Sequence, residues 1–159
     1  MDGSADNTMK NFDDFKEDLG MRESTGDYHC VNAWGFMGKY QFGKPRLWDL
    51  GISIDSYMPA DQTPAQCGKV ILTVEEFLLD RTLQDKIFKL HVIKHLKYLR
   101  KKYTQYIPIY TESGLVAGVH LKGFGGLREF LKGEDNEDGL GTKISEYVEM
   151  FSGYDLSDL

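Results

Sequence analysis

The sequence has few cysteines and no long apolar run. Cys30 and Cys67 are its only cysteines; they can form one disulfide outside the cytoplasm or remain two separate thiols, and alone they cannot make a metal site. No apolar stretch approaches the ~20 residues that cross a bilayer, and residues 1–7 lack the basic and apolar regions of a signal peptide. We therefore expect a soluble chain with no membrane insertion and no export signal.

Basic charge and sheet patterns are also scarce. The chain has 19 lysines and arginines against 25 acidic residues, a net charge of −6, which favours solubility and argues against a nucleic-acid partner. Its 159 residues are typical of one domain with a single core. Because helical spacing dominates over strict alternation, the sequence predicts a mainly α fold in one domain, residues 1–159.

The first predicted helix carries a glutamate on its apolar stripe. Apolar side chains recur at three- and four-residue steps at Met9, Phe12, Phe15 and Leu19, with acids on the other face, which is the pattern of an amphipathic helix. Glu23 continues this stripe. A carboxyl at the edge of an apolar face loses hydration, which favours the protonated form that a general acid needs. An exposed glutamate at a helix end is the alternative interpretation.

Residues 44–71 divide into a short helix and an irregular segment. The helix is predicted over Lys44–Gly51, which has proline early and glycine at its end. From 52 to 71 we expect turns, because three residues that interrupt regular structure fall there: Pro59, Pro64 and Gly68.

A long central helix is predicted next. Thr73 and Glu76 have the spacing of a capping box that opens a short helix through Leu79, and Asp80 or Thr82 can cap the helix that follows. That helix has apolar residues at helical spacing over several turns, at Leu83, Ile87, Leu90, Ile93, Leu96, Leu99 and Tyr103.

The same helix is basic and carries two histidines. Its cations are either a surface for a polyanion or, as we favour, a solvated face with charge gathered toward the helix C-terminus: Lys86, Lys89, Lys94, Lys97, Arg100, Lys101 and Lys102. His91 and His95 lie one turn apart. Without a His-Glu-x-x-His arrangement or further ligands, they are expected to pack or to lie at the surface. The sequence therefore predicts no metal and no other cofactor.

Short helices and an acidic loop are predicted for the remainder. Thr111 can cap a helix over Glu112–Lys122, and the glycines at 123, 125 and 126 permit a sharp turn. The acidic loop Gly133–Gly141 lacks the pattern of a calcium-binding EF-hand and is expected to be solvated. Thr142 can cap a last helix whose core residues are Ile144, Tyr147, Val148 and Phe151.

The run after Glu23 resembles a known motif. Glu23-Ser24 is followed by Gly35-Phe36-Met37-Gly38-Lys39-Tyr40-Gln41. This resembles the soluble lytic transglycosylases and the related goose-type lysozymes, which carry Glu-Ser near a helix end and, at the same spacing, Gly-Ala-x-Gly-Leu-Met-Gln. Glutamate, serine, both glycines and the glutamine are in register.

Two weaker matches follow in the same order. The family's Ala-Tyr-Asn-Ala-Gly-x-Gly is similar to Val119–Gly125 in its glycines only; His120 and Leu121 stand where the family has tyrosine and asparagine. The histidine can replace the tyrosine as a donor or alter the pH dependence. The family's Glu-Thr-x-x-Tyr-Val is similar to Lys143–Val148, which keeps Tyr147 and the valine.

The resemblance implies a lysozyme-like helical domain with a long central helix and a substrate groove. It implies cleavage of the β-1,4 bond between N-acetylmuramic acid and N-acetylglucosamine, with Glu23 as general acid and then base. It also implies a set of substrate-binding residues: Ser24, Gly38, Tyr40, Gln41, His120 and Tyr147. The implied partners are peptidoglycan strands and, for an antibacterial effector, a cognate inhibitor.

Several alternatives remain open from the sequence. A second catalytic carboxylate, which decides between hydrolysis and anhydro-ring formation, has candidates by type only in Asp27, Glu112 and Asp138. Tyr28, Trp34 and Tyr40 can offer flat surfaces to sugars or belong to the core. A non-catalytic glycan-binding or interaction module on the same fold is the alternative function.

The expected place of action is the periplasm or the cell wall. Since the sequence shows no signal peptide, the resemblance implies delivery by a secretion machine, by a phage, or as a domain of a larger protein.

Overall fold

A computed structural model describes residues 9–64 and 68–159, and its regular elements are mostly helices, as predicted. Cys67 lies outside the described residues, and Cys30, for which the sequence left open a disulfide or a separate thiol, is a free thiol. The elements in chain order are α1 (Phe12–Ser24), α2 (Lys44–Asp49), β1 (Ile52–Ile54), β2 (Val70–Leu72), α3 (Val74–Leu79), α4 (Arg81–Lys102), α5 (Ile107–Tyr110), α6 (Glu112–Leu131) and α7 (Ile144–Met150). No helix in these two described segments is long and apolar enough to cross a bilayer.

The chain folds into two compact units. One unit is Glu17–His91, and the other combines Val92–Leu159 with the described residues up to Lys16. The unit boundaries fall inside α1 and α4. The assignment of residues 1–159 to one lysozyme-like domain stays a prediction.

The unit Glu17–His91 has an aromatic core. Tyr40 is fully buried and stacks on Phe88, with ring centroids 4.3 Å apart and planes 19° from parallel. Phe42 and Phe77 are also buried, and α2 adds Leu47 and Trp48. Burial of these large rings contributes to the apolar stabilisation of the unit.

A parallel strand pair corrects the expectation that residues 52–71 are all irregular. In β1 and β2, Ile52 is opposite Val70 and Ile54 is opposite Leu72. Both strands are rich in β-branched residues, which favour extended backbone, but each has only three residues, too few for a periodic signal. The two strands are distant in the sequence, so no local pattern predicts their pairing.

The predicted capping box is confirmed. The Thr73 hydroxyl accepts from the Glu76 backbone N–H at 3.0 Å, and the Glu76 carboxylate accepts from the Thr73 N–H at 2.9 Å. Asp80, one of the two predicted caps of the long helix, accepts from the Leu83 N–H at 3.0 Å. These local contacts are formed by neighbouring residues, so sequence spacing predicted them.

The buried face of α4 differs from the predicted stripe. Leu90 is exposed, whereas Phe88, Val92 and both histidines are buried. His91 packs edge-on against Phe42, and His95 packs edge-on against Phe124, each at 5.3 Å between ring centroids. The histidines are therefore packing residues. Within residues 9–64 and 68–159, no group of three or more His, Cys, Asp or Glu could hold a metal ion.

In the other unit, α6 and α7 pack closely through glycine. A Cβ on Gly114 would lie 2.7 Å from the Val148 carbonyl oxygen. Gly123 has φ 69° and ψ −179°, which breaks the helical path of α6 at the predicted sharp turn. The Thr111 hydroxyl accepts from the Gly114 N–H at 3.4 Å, as its predicted capping role requires.

The prediction that Thr142 caps the last helix is wrong. Lys143 is the N-cap residue and makes no side-chain cap; instead the Asp135 carboxylate accepts from the Ser145 N–H at 3.0 Å and from its hydroxyl. Asp135 reaches Ser145 because the acidic loop folds back, which the spacing of residues does not reveal. The predicted core of this helix is confirmed, since all four of its residues are buried: Ile144, Tyr147, Val148 and Phe151.

Candidate functional site

Glu23 is the penultimate residue of α1, and its side chain is half-buried. Phe15 and Leu19, which precede it on the predicted stripe, are fully buried, whereas Met9 lies before the helix begins and is exposed. The amphipathic pattern is thus confirmed within the helix. It leaves Glu23 at the edge between buried and exposed residues.

Ser24 links the end of this helix to the turn that carries the rest of the motif. Its buried hydroxyl donates to the Lys39 carbonyl oxygen at 2.7 Å and accepts from the Asp27 N–H at 3.0 Å. A buried hydroxyl that both donates and accepts hydrogen bonds holds two parts of the backbone together. Ser24 therefore fixes the backbone beside Glu23, and its hydroxyl is not exposed to a substrate.

Gly38 and Gln41 form the turn itself. Gly38 has φ 82°, and its N–H donates to the Cys30 carbonyl at 2.7 Å. A Cβ on Gly38 would lie 2.4 Å from the Gln84 side-chain oxygen. The position therefore needs glycine for two reasons, backbone conformation and space.

Gln41 is held in an unusual conformation. Its φ of 56° is in the left-handed region, which costs a non-glycine residue about 1 kcal/mol or more. The side-chain amide nitrogen donates to the Gly38 carbonyl at 3.0 Å and to the Cys30 carbonyl at 3.3 Å. Gln41 is 9% exposed. Since an amide has two N–H hydrogens, both are used, and the carbonyl oxygen Oε1 is the part of this side chain that can accept a hydrogen bond from a ligand.

Lys39 is buried in this turn and pairs with Glu17. Its ammonium lies 2.8 Å from the nearer Glu17 oxygen and 4.9 Å from the ring centre of Tyr28. Burial is the largest single influence on Lys39 and lowers its pKa, but the hydrogen bonds and charges of Glu17 and Tyr28 together outweigh it and leave the pKa raised. A Cβ on Gly20 would lie 2.6 Å from Lys39 Cε, so this glycine makes room for the lysine.

Asp85 is a carboxylate at this site that the sequence reasoning missed. The Tyr40 hydroxyl donates a hydrogen bond to the Asp85 carboxylate at 2.6 Å, and the Tyr28 hydroxyl donates another at 2.9 Å. Burial raises the pKa of both phenols, and the carboxylate raises it further. Asp85 is 45 positions from Tyr40 in the sequence, so no local pattern connects them.

Tyr40 does not have the surface that the sugar-binding prediction requires. Its ring is buried against Phe88 and its hydroxyl is bonded to Asp85. Its spacing in the motif could not distinguish a core ring from an exposed one. We correct its role to that of a core residue that orients Asp85.

His120 and Tyr147, the remaining predicted site residues, belong to the unit that contains Val92–Leu159. His120 is half-buried on α6. Tyr147 is 3% exposed and packs edge-on against Phe151, with ring centroids 5.3 Å apart. The prediction that Tyr147 binds substrate is corrected in the same way as that for Tyr40, because its ring is part of a core.

The carboxylates considered as second catalytic groups each have a structural partner. Asp27 accepts from the His29 N–H at 2.8 Å. Glu112 receives two hydrogen bonds from Arg100, at 2.6 and 2.9 Å. Asp138 accepts from the backbone of its own loop, at Leu140 and Thr142. These contacts explain Asp27 as a turn residue, Glu112 as an ion-pair partner and Asp138 as a loop residue.

An exposed aromatic loop, Val31–Phe36, lies between Glu23 and the Gly38–Gln41 turn in the sequence. Trp34 is 62% exposed and Phe36 is 43% exposed. Of the three aromatic rings suggested for sugars, Tyr40 is buried and Tyr28 is half-buried with its hydroxyl bonded to Asp85. Trp34 is therefore the one that presents a wide surface.

Comparisons with known proteins give no match. No protein-family model, curated protein or solved structure is significantly similar to this chain. The arguments for function therefore depend on the residues and contacts described above.

Proposed function

We propose that this protein cleaves peptidoglycan strands at the β-1,4 bond between N-acetylmuramic acid and N-acetylglucosamine, with Glu23 as the proton donor. One observation carries the proposal. The Ser24 hydroxyl binds the Lys39 carbonyl at 2.7 Å and so joins the Glu-Ser half of the motif to its glycine and glutamine half. Residues that match the motif in sequence therefore also belong to one connected structure.

In the proposed reaction, the Glu23 carboxylic acid gives its proton to the glycosidic oxygen. The bond from this oxygen to the sugar C1 breaks as positive charge develops on the ring. The resulting Glu23 carboxylate then takes a proton from the muramoyl 6-hydroxyl, which closes a 1,6-anhydro ring, or from water, which gives hydrolysis. The glutamate ends protonated in both cases, so the cycle is complete.

Gln41 supports this proposal as a rigid acceptor. Its amide hydrogens are held by the Gly38 and Cys30 carbonyls, so Oε1 has a fixed direction. An acetamido N–H of the sugar is a suitable donor for such an oxygen. A strained backbone at a fixed polar side chain is also a frequent property of binding sites.

The proposal includes a lysozyme-like arrangement of the helices, a delivery route to the cell wall, and a cognate inhibitor if the protein acts between bacteria. The mainly helical fold is compatible with this arrangement. The confirmed amphipathic pattern of α1 supports it further, because it leaves the acid at the border of the apolar face.

The test is loss of turbidity of a purified cell-wall suspension. We expect the wild-type protein to clear the suspension and Glu23→Gln to reduce the rate by about 100-fold or more, as removal of a general acid does. Glu75→Gln is the matched control, since Glu75 is an exposed residue in the first turn of α3. Equal clearing by Glu23→Gln, or no clearing by the wild type, would contradict the proposal.

A further inference from the structure

The backbone of the exposed aromatic loop is held by hydrogen bonds within the loop. The Asn32 side-chain oxygen accepts from the N–H groups of Trp34 and Phe36, at 2.9 and 3.0 Å. The Asn32 N–H donates to the Phe36 carbonyl at 3.0 Å, and the Gly35 N–H donates to the Asn32 carbonyl at the same distance. Gly35 has φ 84°, so glycine is the residue that permits this tight turn. The loop is thus ordered before any ligand binds.

The fixed backbone of this loop affects the free energy of ligand binding. Burying a tryptophan ring is strongly favourable, yet here a network of hydrogen bonds holds Trp34 with most of its surface in water. Phe36 is partly supported, because a Cβ on Gly43 would lie 3.0 Å from its ring. A loop whose backbone is already fixed loses little backbone freedom on binding, which favours affinity.

The loop is also uncharged. No side chain from Val31 to Phe36 carries a charge. Attraction to an anionic lipid surface requires basic residues, and the whole chain has a net charge of −6. A lipid surface is therefore disfavoured as the ligand.

A second copy of the chain is disfavoured by area. One tryptophan buries about 150–250 Å², whereas a stable interface buries about 1,200–2,000 Å² in total. Two loops of this size do not approach that area, and both copies carry the same negative charge. The flat C–H face of a pyranose ring, by contrast, is uncharged and similar in size to an indole ring.

We infer that Trp34 is a carbohydrate-binding platform that stacks on the apolar face of an N-acetylhexosamine. The choice of this sugar class rests on the proposed function. Stacking itself requires no proton transfer, so the platform works whether or not Glu23 cuts the glycan. The Cys30 carbonyl, next to this loop, accepts hydrogen bonds from both Gly38 and Gln41, so the loop is continuous with the proposed site.

Tryptophan fluorescence can test this directly. The chain has two tryptophans, and Trp48 is only 6% exposed; Trp48→Phe therefore leaves Trp34 as the reporter. We expect a saturable shift of its emission when the full chain is titrated with a tetramer of N-acetylglucosamine. By calorimetry, Trp34→Ala should bind the tetramer about tenfold more weakly or not at all.

Two controls make the outcome specific. Leu79→Ala removes another exposed apolar side chain of the same unit, 65% exposed, and should leave affinity unchanged. Glu75→Gln, at an exposed position of α3, should also bind the tetramer as the wild type does. Binding with no lysis by the wild type would support the platform and contradict the proposed function.

Other results would overturn the inference and leave the proposed function standing. These are Glu23-dependent lysis with no saturable response to the tetramer, or equal affinity in Trp34→Ala. A Trp34 response to phosphatidylglycerol vesicles, or to protein concentration alone, in the absence of a response to the sugar would assign the loop to a lipid or to a second copy instead.

Discussion

The phenol of Tyr40 and the carboxylate of Asp85 form a hydrogen bond that can be removed by deleting one oxygen atom. Hydrogen bonds to charged groups contribute about 1.5–3 kcal/mol, so Tyr40→Phe should lower the free energy of unfolding by that amount at pH 7. Urea denaturation measures the change. Tyr57→Phe is the control, because the Tyr57 hydrogen bonds with Ile54 and Ser53 are made by its backbone, and its ring packs against Trp48. Equal losses in the two variants would contradict the role of Asp85.

The same bond gives a pH dependence with a definite sign. Burial and Asp85 raise the pKa of Tyr40 above its ordinary value of 10.0. Above about pH 10, the unfolded chain therefore ionises this phenol before the folded chain does, and the unfolded state gains stability. The contribution of Tyr40 should be complete below pH 10 and decrease as the pH rises toward the folded value. Tyr40→Phe should make this alkaline decrease less steep.

A comparison of Gly38 with Gly35 separates the two reasons for glycine at this site, which are backbone conformation and space. Both have positive φ, but a Cβ on Gly35 meets nothing within 4 Å, whereas one on Gly38 would collide with Gln84. Gly35→Ala should cost about 1 kcal/mol for conformation alone. Gly38→Ala should cost about 1–3 kcal/mol more, because Gln84 is buried and bonded to backbone groups. Similar losses in thermal or urea unfolding would show that Gln84 yields without cost.

At the level of elements, the N-terminus of α7 depends on Asp135. The hydrogen bonds from Ser145 lower the pKa of this carboxylate. Its stabilisation should be present above the ordinary pKa of about 4 and lost as the pH falls through the lower folded value. Asp135→Asn should cost about 0.5–1 kcal/mol near neutral pH, the low part of the range for helix caps because the residue is exposed.

The control for this prediction is Glu134→Gln, which changes the charge of the neighbouring exposed residue. Chemical denaturation between pH 2 and pH 7 should show a smaller acid-induced loss of stability for Asp135→Asn than for the wild type, and the same loss for Glu134→Gln. An unchanged acid profile in Asp135→Asn would assign the cap to another group.

Elements whose contacts are local were predictable from the sequence, and those whose contacts are distant were not. Thr73 and Glu76 bond across three positions, so spacing alone identified them. The pairing of β1 with β2 joins residues on either side of an irregular segment. The predicted stripe of α4 failed at Leu90 because the buried face contains Phe88 and Val92 instead. It also contains His91 and His95, which pack against Phe42 and Phe124 and which a hydrophobic pattern does not include.

The same distinction applies to the candidate site. The left-handed turn at Gly38 is possible because the residue is glycine. The helical spacing of the apolar residues in α1 places Glu23 at the end of their stripe. The burial of Tyr40 and its bond to Asp85 depend on how α4 packs in the folded unit, which no motif encodes. The exposure of Trp34 is a property of the loop geometry, and the sequence could only name it as one of several aromatic residues.

At the scale of the whole molecule, the residues of the proposed reaction lie in the unit Glu17–His91. Glu23, Ser24, Gly38 and Gln41 lie there together with Asp85 and Trp34. In the proposed reaction, this unit supplies the proton donor, the fixed acceptor and the exposed ring.

Mass spectrometry of fragments released from purified peptidoglycan tests the central claim most directly. We expect disaccharide-containing fragments from the wild type and none from Glu23→Gln, with unfolding midpoints of the two proteins unchanged. Fragments ending in 1,6-anhydromuramic acid would identify transglycosylation, and reducing ends would identify hydrolysis. The same fragments from Glu23→Gln, or no fragments from the folded wild type, would contradict the account.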